Sequence, residues 1–333
     1  MPRFTRGGPR RPITRLAATI PVVILSLVVS ACATNGSTSI PTTAPSTVSP
    51  PASPQARFPV TIEAANGPVE IAERPTRVVS LSPTATEMLF AIDAGDQVVA
   101  VDDQSNYPPE APLTDLSGFQ PNVEAIAGFE PDLVVISNDT NDLVKSLEAL
   151  SIPVLLQPAP VGLDGTYGEI QQLGLATGRI AESTALIESM KQAIEGLVAS
   201  VSTPDTALTY YHELDPTYFT ATSTTFIGQM YSLVGLQNIA DAAKGAASGY
   251  PQLSAEYIIH SNPDIIALAD TKCCGQSLQT VADRPGWDGI SAVQHGAVLE
   301  LDDDVVSRWG PRVVDFLQAV VEQVAELQAA AAA

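Results

Sequence analysis

Short segments built almost wholly from β-branched and other apolar residues recur along this chain, and most are followed by a stretch with apolar positions three and four apart. Arg77-Val78-Val79-Ser80-Leu81 leads through Ser82-Pro83-Thr84 into Thr86-Glu87-Met88-Leu89-Phe90-Ala91, and Gly95-Asp96 then breaks the pattern before Val98-Val99-Ala100-Val101. The same order continues with Val123 to Ala127, Leu133-Val134-Val135-Ile136, Leu143 to Leu150 and Val154-Leu155-Leu156. A strand that is apolar at every position is buried on both faces, and a helix between two such strands returns the chain so that they run parallel. The expected fold class is therefore α/β, with Rossmann-like parallel sheets covered by helices. Ahead of the first sheet, alternation in Val60 to Glu63 and Val69 to Ile71 around Asn66-Gly67 predicts a hairpin.

One helix interrupts the alternation. A short helix from Tyr167 to Leu175 ends at Thr177-Gly178, and an unbroken pattern then runs from about Arg179 to Val201. Ile180, Leu186, Ile187, Met190, Ile194, Leu197 and Val198 fall on one stripe, and Thr203-Pro204-Asp205 ends it. The pattern then begins again: strands at Leu208 to Tyr211 and Tyr218 to Thr220, and helices from Phe226 to Val234 and Ala255 to His260. A strand at Ile265 to Leu268, a helix around Val281, a strand at Ala297 to Leu299 and a helix from Pro311 to about Leu327 follow. Two lobes joined by one long helix is the simplest reading, with an N-terminal lobe over 58–178, a connecting helix over 179–202, a C-terminal lobe over 203–328 and a tail over 329–333. Asn122-Val123-Glu124-Ala125-Ile126 to Pro131-Asp132-Leu133-Val134 is echoed by Ser254-Ala255-Glu256-Tyr257-Ile258 to Pro263-Asp264-Ile265-Ile266, which predicts similar lobes facing one another.

The first 57 residues are of another kind. Five arginines (Arg3, Arg6, Arg10, Arg11, Arg15) precede the apolar stretch from Leu16 to Ala31, and Ser30-Ala31-Cys32 closes it as a lipobox does. The stretch is shorter than the roughly 20 residues a membrane-spanning helix needs. The expectation is a lipoprotein signal over 1–31, with Cys32 acylated and the chain anchored on the extracytoplasmic face of the cell membrane. Residues 32–57 are rich in Ser, Thr, Pro and Ala and read as a disordered linker. Sixteen lysines and arginines stand against 37 aspartates and glutamates, and five of the sixteen lie in the leader. Nucleic acid is therefore not an expected partner, because phosphate neutralisation needs clustered basic residues. Besides Cys32, only Cys273 and Cys274 are present. They are adjacent in an oxidising compartment, so a vicinal disulfide or a reduced pair is expected rather than a zinc site.

No dinucleotide fingerprint, P-loop or nucleophile elbow occurs, and neither a catalytic residue nor a cofactor is expected. Asp302-Asp303-Asp304 reads as a solvated loop. An exported enzyme using Cys273, Cys274 or His212 as its reactive group stands as the alternative from another class.

Arg77 to Glu87, Asp103-Gln104-Ser105-Asn106-Tyr107-Pro108-Pro109-Glu110, the two echoed segments and Arg308-Trp309-Gly310-Pro311-Arg312 together resemble the iron-siderophore and cobalamin class of ABC-transporter substrate-binding proteins, above all its vitamin B12-binding members. The resemblance covers Phe58 to Leu327. It implies a monomeric, non-enzymatic receptor with a ligand cleft between two lobes held by one rigid helix. By position it implies cleft residues Ser82, Pro83, Thr84, Gln104, Phe119, Ser137, Asn138, His212, Tyr250 and Arg308. Glu124 and Glu256 match the family's carboxylates that dock on arginines of an ABC permease. The implied ligand is a metal chelate. Phe119 and Tyr250 stand where cobalamin binders place aromatics, whereas Gln104, Ser137 and His212 replace others. Arg308 is the chief basic residue for an anionic siderophore, with Lys272 and Arg284 further candidates, and a corrinoid, a neutral ferric hydroxamate and a haem all stay open.

Overall fold

The computed structural model of the chain describes residues 57–201 and 207–331. The expected signal, Cys32, nearly all of the linker and the Thr203-Pro204-Asp205 stop lie outside the described residues. Strands β1 (Val60–Ala64) and β2 (Gly67–Ile71) pair antiparallel across Ala65-Asn66, with Gly67 at φ 100° supplying the positive angle that the turn demands. Strands β3 (Val78–Leu81), β4 (Val98–Asp102), β5 (Leu113–Leu116), β6 (Leu133–Ile136) and β7 (Val154–Leu156) form a five-stranded sheet in the order β5-β4-β3-β6-β7, all parallel. Strands β8 (Thr209–Glu213), β9 (Gln237–Asn238), β10 (Ile265–Leu268) and β11 (Val298–Glu300) form a second parallel sheet in the order β11-β10-β8-β9.

Helices α1 (Pro83–Ala91), α2 (Val123–Ala127), α3 (Leu143–Glu148) and α4 (Leu163–Thr177) belong to the first sheet's half of the chain. The expected connector is α5 (Ile180–Ser200). Helices α6 (Phe226–Ser232), α7 (Ala255–Ser261), α8 (Thr271–Cys274), α9 (Leu278–Ala282), α10 (Ser291–Gln294) and α11 (Asp303–Val306) accompany the second sheet, and α12 (Val313–Ala331) closes the chain. Gly178 at φ 75° caps α4, its N–H reaching back to the carbonyls of Gly174 and Leu175, so the chain turns at once into α5. There α4 and α5 lie very close, because a Cβ on Gly174 would stand 2.1 Å from Ser183 Oγ.

Alternate residues of the central strands enter different cores. Val78, Leu133 and Val135 of the first sheet share one cluster with Tyr210, Ile265 and Ala267 of the second, together with Met190 and Ile194 of α5 and Phe316, Leu317 and Val320 of α12. Val79, Val134 and Ile136 face a separate core on the outer side of the first sheet. Tyr211, Ile266 and Leu268 do the same in the second. The inner core is thus continuous across both lobes, which couples them through packed side chains as well as through α5.

Three expectations change in detail. Tyr218 to Thr220 is not a strand: Tyr218 takes φ 69° and stacks on Trp287, leaving a single bridge between Phe219 and Gln252. Strands β5 and β9 escape the apolar pattern because both are edge strands carrying polar residues. Helix α4 starts at Leu163 rather than Tyr167, its first turns masked in the sequence by Gly165 and Gly168.

Candidate functional site

Because the strands of each sheet are parallel, their carboxyl ends share one edge, and the loops that follow them project from it. The two carboxyl edges meet at one end of the molecule. Asn106, beyond β4, donates from Nδ2 to Asp304 of α11 at 3.0 Å, and Arg308 donates from Nη2 to the carbonyl of Gln104 (2.9 Å), to Asn106 Oδ1 (3.0 Å) and to Asp304 Oδ1 (2.7 Å). Arg308 Nη1 reaches Glu87 Oε1 of α1 at 2.8 Å, and Arg312 grips the same carboxylate from Nε (3.0 Å) and Nη2. Nearby, Trp309 donates from Nε1 to Glu169 Oε2 of α4 at 2.7 Å. Burial pushes the Glu169 carboxyl up to about 7, against the lowering effect of Trp309. Residues 304–312 thus latch the second lobe onto the first.

Phe119 and Tyr250, the two aromatics expected in the cleft, are 73% and 48% exposed. The loop bearing Phe119 crosses the end of β3 so closely that a Cβ on Gly118 would stand 2.7 Å from the carbonyl oxygen of Leu81, which fixes where the ring begins. Gln104 is exposed, Pro83 is half-buried, and Asn138 donates to Ser137 Oγ at 3.2 Å at the end of β6. Four expected cleft residues are used differently. Ser82 is buried and caps α1 by accepting from the N–H of Ala85, while Thr84 is buried with Gly310 packed close by. Arg308 is buried in the latch just described, its guanidinium committed to Glu87 and Asp304. His212 is wholly buried, bonded through Nδ1 to Tyr231 Oη at 2.8 Å, and burial pushes it down to about 3. It has the strand parity of Tyr210, which points into the shared core.

Other charges are also committed. Lys272 pairs with Asp302 (2.6 Å) and Asp304 (3.1 Å), and Arg284 makes a bidentate pair with the buried Glu213 while lying over the ring of Trp287. Asp303 accepts from the backbone N–H groups of Thr271, Lys272 and Cys273, so Asp302 to Asp304 form a structural network rather than a solvated loop. Asp270, fully buried beside the equally buried Glu213, has its carboxyl pushed up by burial and by that neighbouring carboxylate. Cys273 and Cys274 are joined in a disulfide. The groups named for an enzyme are therefore a disulfide and an enclosed neutral imidazole. Among the described residues, no group of three or more His, Cys, Asp or Glu is placed to hold a metal ion.

The repeated segments fold alike. Asn122 caps α2 by accepting from the N–H of Ala125, and Ser254 caps α7 by accepting from that of Tyr257. Glu124 and Glu256 consequently occupy the same position in the first turn of their helices, and both are exposed. The exposed Glu256 carboxyl is lowered by its own backbone N–H and by Ser254. A helix joining parallel strands runs antiparallel to them, so both N-termini lie toward the carboxyl edges. The Pro-Asp pairs serve the sheets: Asp132 accepts from the N–H groups of Thr76 and Arg77 ahead of β3, and Asp264 from that of Thr209 at the start of β8. Sequence reasoning had the echo but not this job, nor the roles of Glu87, Glu169, Glu213 and Asp270. Glu87 and Glu169 lie in helical runs with no local mark of their distant partners.

The sequence profile described as "Periplasmic binding protein" matches residues 78–305. An ABC transporter substrate-binding lipoprotein of Bacillus subtilis is 31% identical over 277 residues, covering 80% of this chain and 86% of that protein. A cobalamin-binding protein of Halobacterium salinarum is 32% identical over 268 residues, covering 78% and 72%. Among solved structures, the periplasmic vitamin B12 binding protein of Vibrio cholerae superposes with a TM-score of 0.64 at 26% identity, covering 76% of this chain and 98% of that one.

Proposed function

This chain belongs to the periplasmic binding protein family, and from that premise we propose that it is the substrate-binding lipoprotein of an ABC importer, tethered through Cys32 outside the cytoplasmic membrane. In this reading it captures a metal chelate between its lobes and presents it to the permease through Glu124 and Glu256. The observation that carries the reading is the opposition of two parallel sheets by their carboxyl edges, joined by a latch and by one continuous core. The basic side chains near these edges are neutralised: Arg308 by Glu87 and Asp304, Lys272 by Asp302 and Asp304, Arg284 by Glu213. Near these edges a polyanionic ferric siderophore would meet, among the described residues, guanidinium groups already paired with carboxylates. That electrostatic setting favours a corrinoid or a neutral ferric hydroxamate, with Phe119 and Tyr250 contributing apolar contact. Isothermal calorimetry with cyanocobalamin, ferrichrome, haem and a ferric catecholate tests this. Tight binding of the catecholate alone, or of no chelate, contradicts it.

A further inference from the structure

Cys273 and Cys274 close a disulfide between adjacent residues. Both are exposed, and they sit in α8, which follows β10 directly at the carboxyl edge of the second sheet. The short helix is fixed at both ends. At its start the Asp303 carboxylate accepts from Thr271 N–H (2.8 Å), Thr271 Oγ1 (2.9 Å), Lys272 N–H (3.0 Å) and Cys273 N–H (2.9 Å). At its end Gln276 donates its N–H to the Asp270 carbonyl (3.3 Å) and accepts from Arg284 Nη2 (2.6 Å), whose guanidinium is itself held by the buried Glu213. Lys272, the residue before the disulfide, bonds to Asp304 Oδ2, the same oxygen that accepts from Asn106 of the other lobe. The disulfide therefore stands beside the junction of the two edges, on a turn with few conformations left. A turn held this firmly, yet exposing an apolar and polarisable group, is suited to contact with a ligand rather than to stapling a loop already pinned.

Resting on the receptor reading above, we propose that the Cys273–Cys274 disulfide is part of the ligand-contacting surface, offering its sulfur edge to an apolar or conjugated face of the bound chelate. Reduction converts this edge into two separate thiols and releases the eight-membered ring that sets the direction of both sulfurs. With a phosphine reductant the balance is simple: the S–S bond takes two electrons and two protons, and the phosphine becomes its oxide with oxygen from water.

The test is calorimetric titration of the chain with cyanocobalamin and with ferrichrome, in three forms: oxidised, phosphine-reduced and desalted under inert gas, and Cys273→Ser/Cys274→Ser. Thermal midpoints are measured in parallel. The expected result is that the reduced protein and the double variant both lose about fivefold or more in affinity for the chelate that the oxidised form binds, while the reductant has no further effect on the variant. Equal affinity in all three forms overturns the inference and leaves the receptor reading standing, whether or not the thermal midpoint falls. If neither chelate binds the oxidised form, the receptor reading itself fails and the inference goes with it. The serine variant keeps the outcome clear where free thiols react with a ferric centre.

Discussion

At the scale of single residues, buried ionisable groups set the response to pH. Glu169 titrates at about 7 in the folded chain against 4.5 in solution, because its carboxylate loses water on burial beside Trp309. A raised carboxyl pKa means stability that is full below the solution value and is lost as pH rises through about 7. Glu169→Gln keeps an acceptor for the indole without the charge, so its melting curve should match the parent near pH 4 and exceed it by roughly 1–3 kcal/mol at pH 8.5 in calorimetry. His212 acts in the opposite sense: lowered to about 3 from 6.5, it contributes stability above its solution value that is lost on acidification. Position in the chain puts Ser82, Thr84 and His212 near the ends of β3 and β8. It does not fix which way their side chains turn, since that follows from pairing parity and from partners outside the local pattern, such as Tyr231 for His212.

Among elements, the crossing of α4 on α5 and the latch onto α1 hold the lobes in place. Gly174 permits that crossing, and Gly174→Ala would drive a methyl group into Ser183. The expected cost is about 1–3 kcal/mol by urea denaturation. Glu87 accepts from two arginines inside the protein, so Glu87→Gln leaves buried guanidinium charge under-compensated. A loss of about 3–5 kcal/mol is expected. A double-mutant cycle with Arg312→Met should return a coupling well above 1 kcal/mol, and additive losses would show that the contact is incidental. The helices and central strands were legible beforehand because their periodicity is local. The latch was not, because Glu87 and Arg308 are brought together only by the packing of two lobes.

For the whole molecule, the proposed function makes the two exposed carboxylates at equivalent helix starts, Glu124 and Glu256, its docking points for the permease. Glu124→Ala combined with Glu256→Ala should leave chelate affinity unchanged in calorimetry and reduce uptake by cells at least about tenfold, each single change having a smaller effect. Unchanged uptake in the double variant would remove the docking role. Among the described residues no helix is long and apolar enough to cross a membrane. Fully apolar strands, helix stripes and the echoed cap-acid segments determined by themselves that the chain makes two parallel α/β lobes, because burial on both faces and helix capping are written in neighbouring residues. Which charges remain free for a ligand was decided only by the tertiary structure. Arg308, Lys272 and Arg284 find their carboxylates across loops and lobes, and such pairing depends on distances that a linear pattern does not contain.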